Sequence, residues 1–174
     1  MSELLIRDAT PADAPALLEI YRPHVEHAVV SFETVVPSVD EFAARIAKVQ
    51  SGWTWLVGEI DGQVLGYVYG AAHAERAAYR WSVNVTAYVR GDAQRRGIAR
   101  RLYEALFPRL AAQGYCMAFA GITLPNAASV GLHSRLGFEP CGLFRAVGYK
   151  FGAWRDVAWL QRALREGEPG EITP

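Results

Sequence analysis

The chain has 174 residues, 51% of them hydrophobic, with Lys+Arg and Asp+Glu equal at 18 each. That length suits one domain with a substantial core, and the charge balance excludes a global attraction to nucleic acid or to an anionic membrane. No apolar run nears the ~20 residues needed to cross a bilayer. The start MSELLIRDAT lacks the basic and apolar regions of a secretion signal. Cys116 and Cys141 lie far apart without CxxC spacing and are expected to be buried thiols in a reducing cytoplasm.

LLIRDAT reads as an edge strand, and Thr10-Pro11-Ala12-Asp13 supplies an N-cap hydroxyl, a proline at the first helical position and an acid in the first turn. A helix to about Val25 is expected. His24 and His27 stand at i and i+3 near its end. With no further ligand close in sequence, they read as surface or helix-end histidines rather than a metal site. AVVSFETVVP is irregular and apolar. Ser38 and Glu41 then form a capping box ahead of Phe42, Ile46 and Val49, predicting a second, amphipathic helix.

From Trp53 the period changes. TWLVGEI and QVLGYVYG are strand-like runs around Asp61-Gly62, a pair typical of a tight hairpin. A strand from about Arg80 to Arg90 leads into GDAQRRGIARRL, residues 91 to 102. A helix starts at Gly97, with Ile98, Leu102, Leu106 and Leu110 on one face and Gly114 as its C-cap. CMAFAGI reads as a buried strand, the segment 126 to 136 as a short helix ended by Gly137, and LFRAVGYKF and DVAWLQRAL as closing strands. Without repeat or linker, residues 1–166 read as one α/β domain, followed by a polar, fraying tail at 167–174.

The stretch GDAQRRGIARRL admits two readings. A strand end, a glycine turn and a helix N-terminus leave backbone N–H groups unpaired and aimed at one point, which makes an anion cradle. Arg95, Arg96 and Arg100 would then supply charge to a pyrophosphate and a further phosphate. The other reading is a solvated, arginine-rich helix face. Neither GxxxxGK[ST] nor GxGxxG with a suitable downstream acid occurs, so a P-loop or dinucleotide fold is not supported. The basic residues cluster at one helix start instead of spreading along a face, which disfavours a nucleic-acid module.

Gln94-Arg95-Arg96-Gly97-Ile98-Ala99, after a strand and opening a helix, resembles the acetyl-CoA pyrophosphate motif Q/R-x-x-G-x-G/A of the GNAT superfamily of N-acetyltransferases. NAASVGLHSRLGFEP, residues 126 to 140, resembles that superfamily's second CoA-side motif, an Asn opening a helix and a Gly-Phe pair closing it. SFET at Ser31 to Thr34, RAAYRWSV from Arg76, Asn126 with His133, and GYKFGAWRDVAWLQ at 148 to 161 resemble the phosphinothricin and methionine sulfoximine N-acetyltransferases. The resemblance covers about residues 4 to 164.

This resemblance implies the GNAT α/β fold, a mixed, mostly antiparallel sheet flanked by helices and splayed at its middle, with acetyl-CoA as co-substrate in the cleft and no metal. It implies cofactor contacts from Ala87, Tyr88 and Val89, from Gln94, Arg95, Arg96, Gly97, Ile98, Ala99 and Arg100, and from Asn126, Ser129 and His133. The N–H near Val89 would polarise the thioester carbonyl. The amine attacks directly, and His133 or water protonates the departing thiolate. On the substrate side the resemblance implies Phe32, Glu33, Arg76 and Tyr79, the arginine able to hold a carboxylate bidentately and the tyrosine to assist. Plainer uses exist: Asn126 as a helix cap, His133 as a satisfied histidine, Phe32, Trp81 and Trp154 as core aromatics, Arg76 in a surface ion pair.

One position departs from the branch. Four residues before the tyrosine of the splayed strand, Tyr88, the branch carries a glutamate where this chain has Asn84, and an amide cannot take a proton from an ammonium. The base then comes from elsewhere, Glu33 or His73 through water, or the reaction uses amine that is already neutral. The expected partners are acetyl-CoA, a small amino-acid-like amine and, by analogy, a second copy in a homodimer; neither nucleic acid nor membrane is expected. A non-catalytic acyl-CoA sensor, and a transferase for peptide N-termini or polyamines, are the alternatives.

Overall fold

The computed structural model describes residues 3–166. Its strands are β1 (Leu5–Asp8), β2 (Trp55–Ile60), β3 (Gln63–Ala72), β4 (Ser82–Val89), β5 (Met117–Thr123), β6 (Glu139–Lys150) and β7 (Ala153–Ala163). Its helices are α1 (Ala14–Glu26), α2 (Val39–Gln50), α3 (Ile98–Ala112) and α4 (Ala127–Arg135), with short 3-10 turns at Pro11–Asp13, Ala77–Tyr79 and Gly91–Ala93. The strands form one seven-stranded sheet in the order β1-β2-β3-β4-β5-β7-β6. Its neighbours are antiparallel except for β4 and β5, which run parallel.

Local chemistry accounts for most of these boundaries. The Ser38 hydroxyl accepts the Glu41 N–H at 3.2 Å while the Glu41 carboxylate accepts the Ser38 N–H at 2.7 Å, and such a cap contributes about 1 kcal/mol. The Asp13 carboxylate accepts the Thr10 N–H at 2.7 Å and is itself gripped by Arg7 at 2.8 and 2.9 Å. Asp61 and Gly62 both have positive φ, 51° and 75°, the geometry whose twist matches that of flanking hairpin strands.

Alternation along the strands divides the core between the two faces of the sheet. On one face, Leu17, Phe42 and Ile46 of the first two helices pack with Trp55, Val57 and Tyr67. On the other, Leu102, Leu106 and Leu110 of α3 are fully buried against Leu56, Val68 and Val83. Two expectations about burial fail. Cys116 is buried but Cys141 is exposed on β6, and Trp154 is 66% exposed. Both lie on the long β6–β7 hairpin, where no helix is packed over them, so a strand pattern there does not imply core. The tail at 167–174 lies outside the described residues. Among the described residues, no helix is long and apolar enough to cross a membrane.

The feature that matters for function is local to β4 and β5. They pair only at Ser82–Met117, Val83–Ala118 and Asn84–Phe119. Beyond that point β4 stays bonded to β3 as far as Val89, and β5 stays bonded to β7 as far as Thr123. The two strands therefore diverge, and a wedge opens in the middle of the sheet.

Candidate active site

The wedge is a cleft of about 1050 Å³, lined by Val85–Val89 of β4 and by Ala120, Gly121, Ile122 and Thr123 of β5. Arg90 donates its N–H to Leu65 at 2.8 Å. Because ladder bonds alternate along an antiparallel pair, the N–H groups of Val85, Ala87 and Val89 point away from β3. The Val85 N–H still reaches β5 at the last pairing, Asn84 with Phe119, and beyond it the Ala87 and Val89 N–H groups face the cleft without a strand partner.

The wide end is closed by the first turn of α3. Gly97 caps it at φ +77°, a left-handed conformation that costs a residue with a β-carbon roughly 1–2 kcal/mol, and nothing crowds the space a β-carbon would fill. Arg95, at φ 61°, completes the turn. Gln94, Arg95, Gly97, Ile98, Ala99 and Arg100 line the cleft, as do Ala87, Tyr88 and Val89. Arg96 is exposed and does not line it. Arg100 shares its guanidinium with Glu104 at 2.7 Å, so its charge is partly spent within the helix. The helix end with its N–H groups, and Arg95 beside it, make this the end of the cleft that attracts an anion.

Asn126 caps its helix and also reaches the cleft. Its side-chain oxygen caps α4 by accepting the Ser129 N–H at 3.1 Å, and the residue lines the cleft together with Ser129 and His133. His133 is only 5% exposed. Its Nδ1 donates to the Ser129 carbonyl at 2.8 Å and its Nε2, at 3.2 Å, accepts from the Tyr103 hydroxyl. Burial pulls its pKa down, opposed by the hydrogen bond to Ser129. Both ring nitrogens are thus engaged, one by Ser129 and one by Tyr103.

The opposite side of the sheet carries the remaining expected residues. Both oxygens of Glu33 are held by Arg45 at 2.6 and 2.8 Å, and Tyr21 donates to the same carboxylate. The Arg45 hydrogen bonds, chiefly, keep Glu33 below the ordinary glutamate range. A carboxylate so engaged is a poor proton acceptor. The Phe32 ring lies over Gly148 so closely that a β-carbon there would overlap it. The buried Lys150 ammonium donates to the carbonyls of Ser31, Ala28 and His24 at 2.7, 2.8 and 3.3 Å. Burial lowers its pKa, and Glu33 counters this. Arg76 and Tyr79 are exposed on the turn before β4, and Arg76 has no acidic partner among the described residues. Asn84 sits where β4 and β5 part, its side-chain oxygen 2.8 Å from Nδ1 of His73.

The cleft also takes in residues the sequence did not mark as functional, among them His24, which it read as a surface or helix-end histidine. His24 and Val30 line the cleft, and the His24 ring packs 4.9 Å from that of Tyr88. Burial, then the charge of Lys150, depress the pKa of His24. Tyr103 also lines the cleft, hidden in the sequence among the apolar positions of α3. Lys150 carried a usable signal: a lysine inside an otherwise apolar closing strand.

A wedge between diverging parallel strands, edged by free N–H groups and ended by a helix N-terminus, offers an extended ligand a row of donors and an anion-attracting end. The sequence matches the family model for the acetyltransferase (GNAT) domain over residues 6–159. It is 40% identical to the phosphinothricin N-acetyltransferase of Streptomyces viridochromogenes across 90% of this chain and 86% of that one. It is 39% identical to the L-methionine sulfoximine/L-methionine sulfone acetyltransferase of Pseudomonas paraeruginosa, over 91% and 94% of the two chains. The structure matches that of a GNAT superfamily phosphinothricin acetyltransferase from Sinorhizobium meliloti in complex with AcCoA, with a TM-score of 0.93, 36% identity, and 99% and 94% of the chains covered. The chain belongs to the GNAT acetyltransferase family, and its splayed sheet is the fold that the sequence motifs implied.

Proposed function

We propose that residues 1–166 act as one acetyl-CoA-dependent N-acetyltransferase domain whose acceptor is a small amino-acid-like amine of the phosphinothricin or methionine sulfoximine kind. The carrying observation is the separation of β4 from β5 after Asn84, which opens the cleft and frees its N–H groups. The first turn of α3 with Arg95 would hold a pyrophosphate. The Val89 N–H would donate to the thioester carbonyl oxygen, a role in which one donor contributes about 3 kcal/mol. Nothing in the geometry calls for a covalent enzyme intermediate.

Glu33 and His133 take supporting roles in this reading. Glu33, clamped by Arg45 and Tyr21, sets the shape of the SFET loop. His133 fixes the Tyr103 hydroxyl at the cleft wall. Arg76, exposed and without an acidic partner among the described residues, supplies a guanidinium for the substrate carboxylate, with Tyr79 beside it. This built acceptor side is what favours an enzyme over a passive acyl-CoA sensor. We place the protein in the cytoplasm, consistent with unpaired Cys116 and Cys141. We also read it as a homodimer, because Phe144, Tyr149, Phe151 and Trp154, 52–66% exposed, leave the β6–β7 hairpin apolar.

The test is thiol release from acetyl-CoA with methionine sulfoximine, phosphinothricin, free amino acids, peptides and polyamines. Amines bearing a nearby carboxylate are expected to be used, and Arg76→Ala to raise their KM about tenfold, the loss of one charge-assisted pair at an exposed site. Equal use of polyamines would remove the role of Arg76.

A further inference from the structure

We infer that His73 is the general base of this enzyme and that Asn84 is its positioning residue, a pair that takes over the function a carboxylate at position 84 would have had. The inference rests on the acetyl-transfer reading and deepens it. Asn84 has only an amide, which accepts no proton from an ammonium. Its side-chain oxygen, however, lies 2.8 Å from Nδ1 of His73. An oxygen acceptor there requires the proton on Nδ1, so the neutral ring presents an unprotonated Nε2. That nitrogen has no hydrogen-bond partner among the described residues and is not among the buried, unsatisfied atoms, so water reaches it. The amide thereby does for this imidazole what a carboxylate does for the histidine of a nucleophile-base-orienter triad: it chooses the tautomer and fixes the ring.

The ring is held on its other sides as well. It stacks on Phe119 at 4.2 Å and meets the edge of Trp159 at 6.2 Å, with the Tyr79 ring at 5.8 Å. Of the elements against it, β4 brings Asn84, β5 Phe119, β7 Trp159 and the 3-10 turn Tyr79. The Tyr79 phenol is the titratable group among these neighbours, and Glu75 and Arg76 follow in the same exposed loop.

Its place in the sheet fits the task. Asn84 and Phe119 are the last partners before β4 and β5 part, and Val85, the next residue, already lines the cleft. The pair therefore sits at the apex of the wedge, on the sheet face it shares with Thr86 and Tyr88, both cleft-lining. Arg76 and Tyr79 stand on the same β3–β4 connection as His73.

The step balances as follows. Nε2, directly or through one water, takes a proton from the substrate ammonium. The freed nitrogen lone pair bonds to the carbonyl carbon of the thioester. As the C–S bond breaks, the second nitrogen proton passes to sulfur, giving amide and thiol, and the imidazolium returns its proton to solvent.

The experiment uses the full chain, with kcat/KM for the best carboxylate-bearing amine measured across pH and histidine labelled with 15N. His73→Ala should lower kcat/KM about 100-fold at neutral pH, the lower end for a general base. It should also abolish the acid limb of the profile, leave acetyl-CoA affinity unchanged and recover part of its rate with added imidazole. His73→Gln should show the same loss without rescue. Asn84→Asp should move the acid limb to higher pH, because a carboxylate stabilises the imidazolium. In the parent, the 15N shifts of His73 should report a neutral ring protonated at Nδ1. An acid limb that survives in both His73 variants, or a neutral ring protonated at Nε2, overturns the assignment while leaving acetyl transfer intact. A parent that binds acetyl-CoA yet turns over no amine overturns the acetyl-transfer reading and the base with it.

Discussion

The two sides of the cleft are built in different ways. The cofactor side comes from two short continuous stretches, 94–100 and 126–133, each a turn followed by a helix whose cap does the positioning. The acceptor side is assembled from residues far apart in the chain: Lys150 reaches the carbonyls of 24, 28 and 31, Phe32 lies on Gly148, and His73 meets Asn84 across β3 and β4. On the first side, backbone groups and helix ends shape the cleft, and their geometry follows from local rules. On the second side, the proposed acceptor site depends on side chains held by distant partners.

If that division is real, substitutions should affect one side and spare the other. The largest effect is expected for Lys150→Met. It removes a buried ammonium and strands three carbonyls it now satisfies, for about 3 kcal/mol of stability, read by urea unfolding. The folded fraction should bind acetyl-CoA within twofold of the parent while its amine KM rises more than tenfold, since the SFET loop loses its anchor. An acetyl-CoA affinity that falls in step with the amine KM would break the comparison.

Gly97→Asp makes the reciprocal change. A left-handed position and a carboxylate at the anion site should weaken acetyl-CoA binding about 100-fold, or ~2.7 kcal/mol, by calorimetry. At saturating acetyl-CoA the amine KM should stay put. Unchanged acetyl-CoA affinity would remove the anion cradle at α3.

The smallest effect sharpens the acceptor side through pH. Arg45 holds the folded-state pKa of Glu33 below its ordinary 4.5, so the ion pair contributes fully above that pH and is lost as pH falls through the lowered folded value. The Tm difference between the parent and Glu33→Gln should be about 1–3 °C from pH 8 to 5, as expected of a partly exposed pair, and should shrink below 4.5. A difference that persists at pH 3 would show that the carboxylate acts by packing rather than by charge.

Much of the molecule was legible in the sequence. The switch from helical to alternating period at Trp53, the Ser38–Glu41 box, the Asp61-Gly62 turn and the glycine before Ile98 each act within a few residues, so composition and spacing expose them. Gln94, Arg95, Gly97 and Asn126, singled out in the sequence as cofactor contacts, line the cleft, whereas Arg96, in the turn just before α3, does not.

What the sequence could not determine is which polar side chains are free to react. Glu33 and His133 have the residue types that acid–base chemistry uses, yet one is spent on Arg45 and Tyr21 and the other on Ser129 and Tyr103. Asn84 looks inert by type, yet it sets the tautomer of His73. The sequence by itself determined the strands, the caps, the turn that cradles an anion and the family. The tertiary structure alone decided where β4 leaves β5 and which histidine keeps an unpaired nitrogen. Basicity and availability depend on partners brought together by folding, and those partners lie from 4 to 126 residues away along the chain.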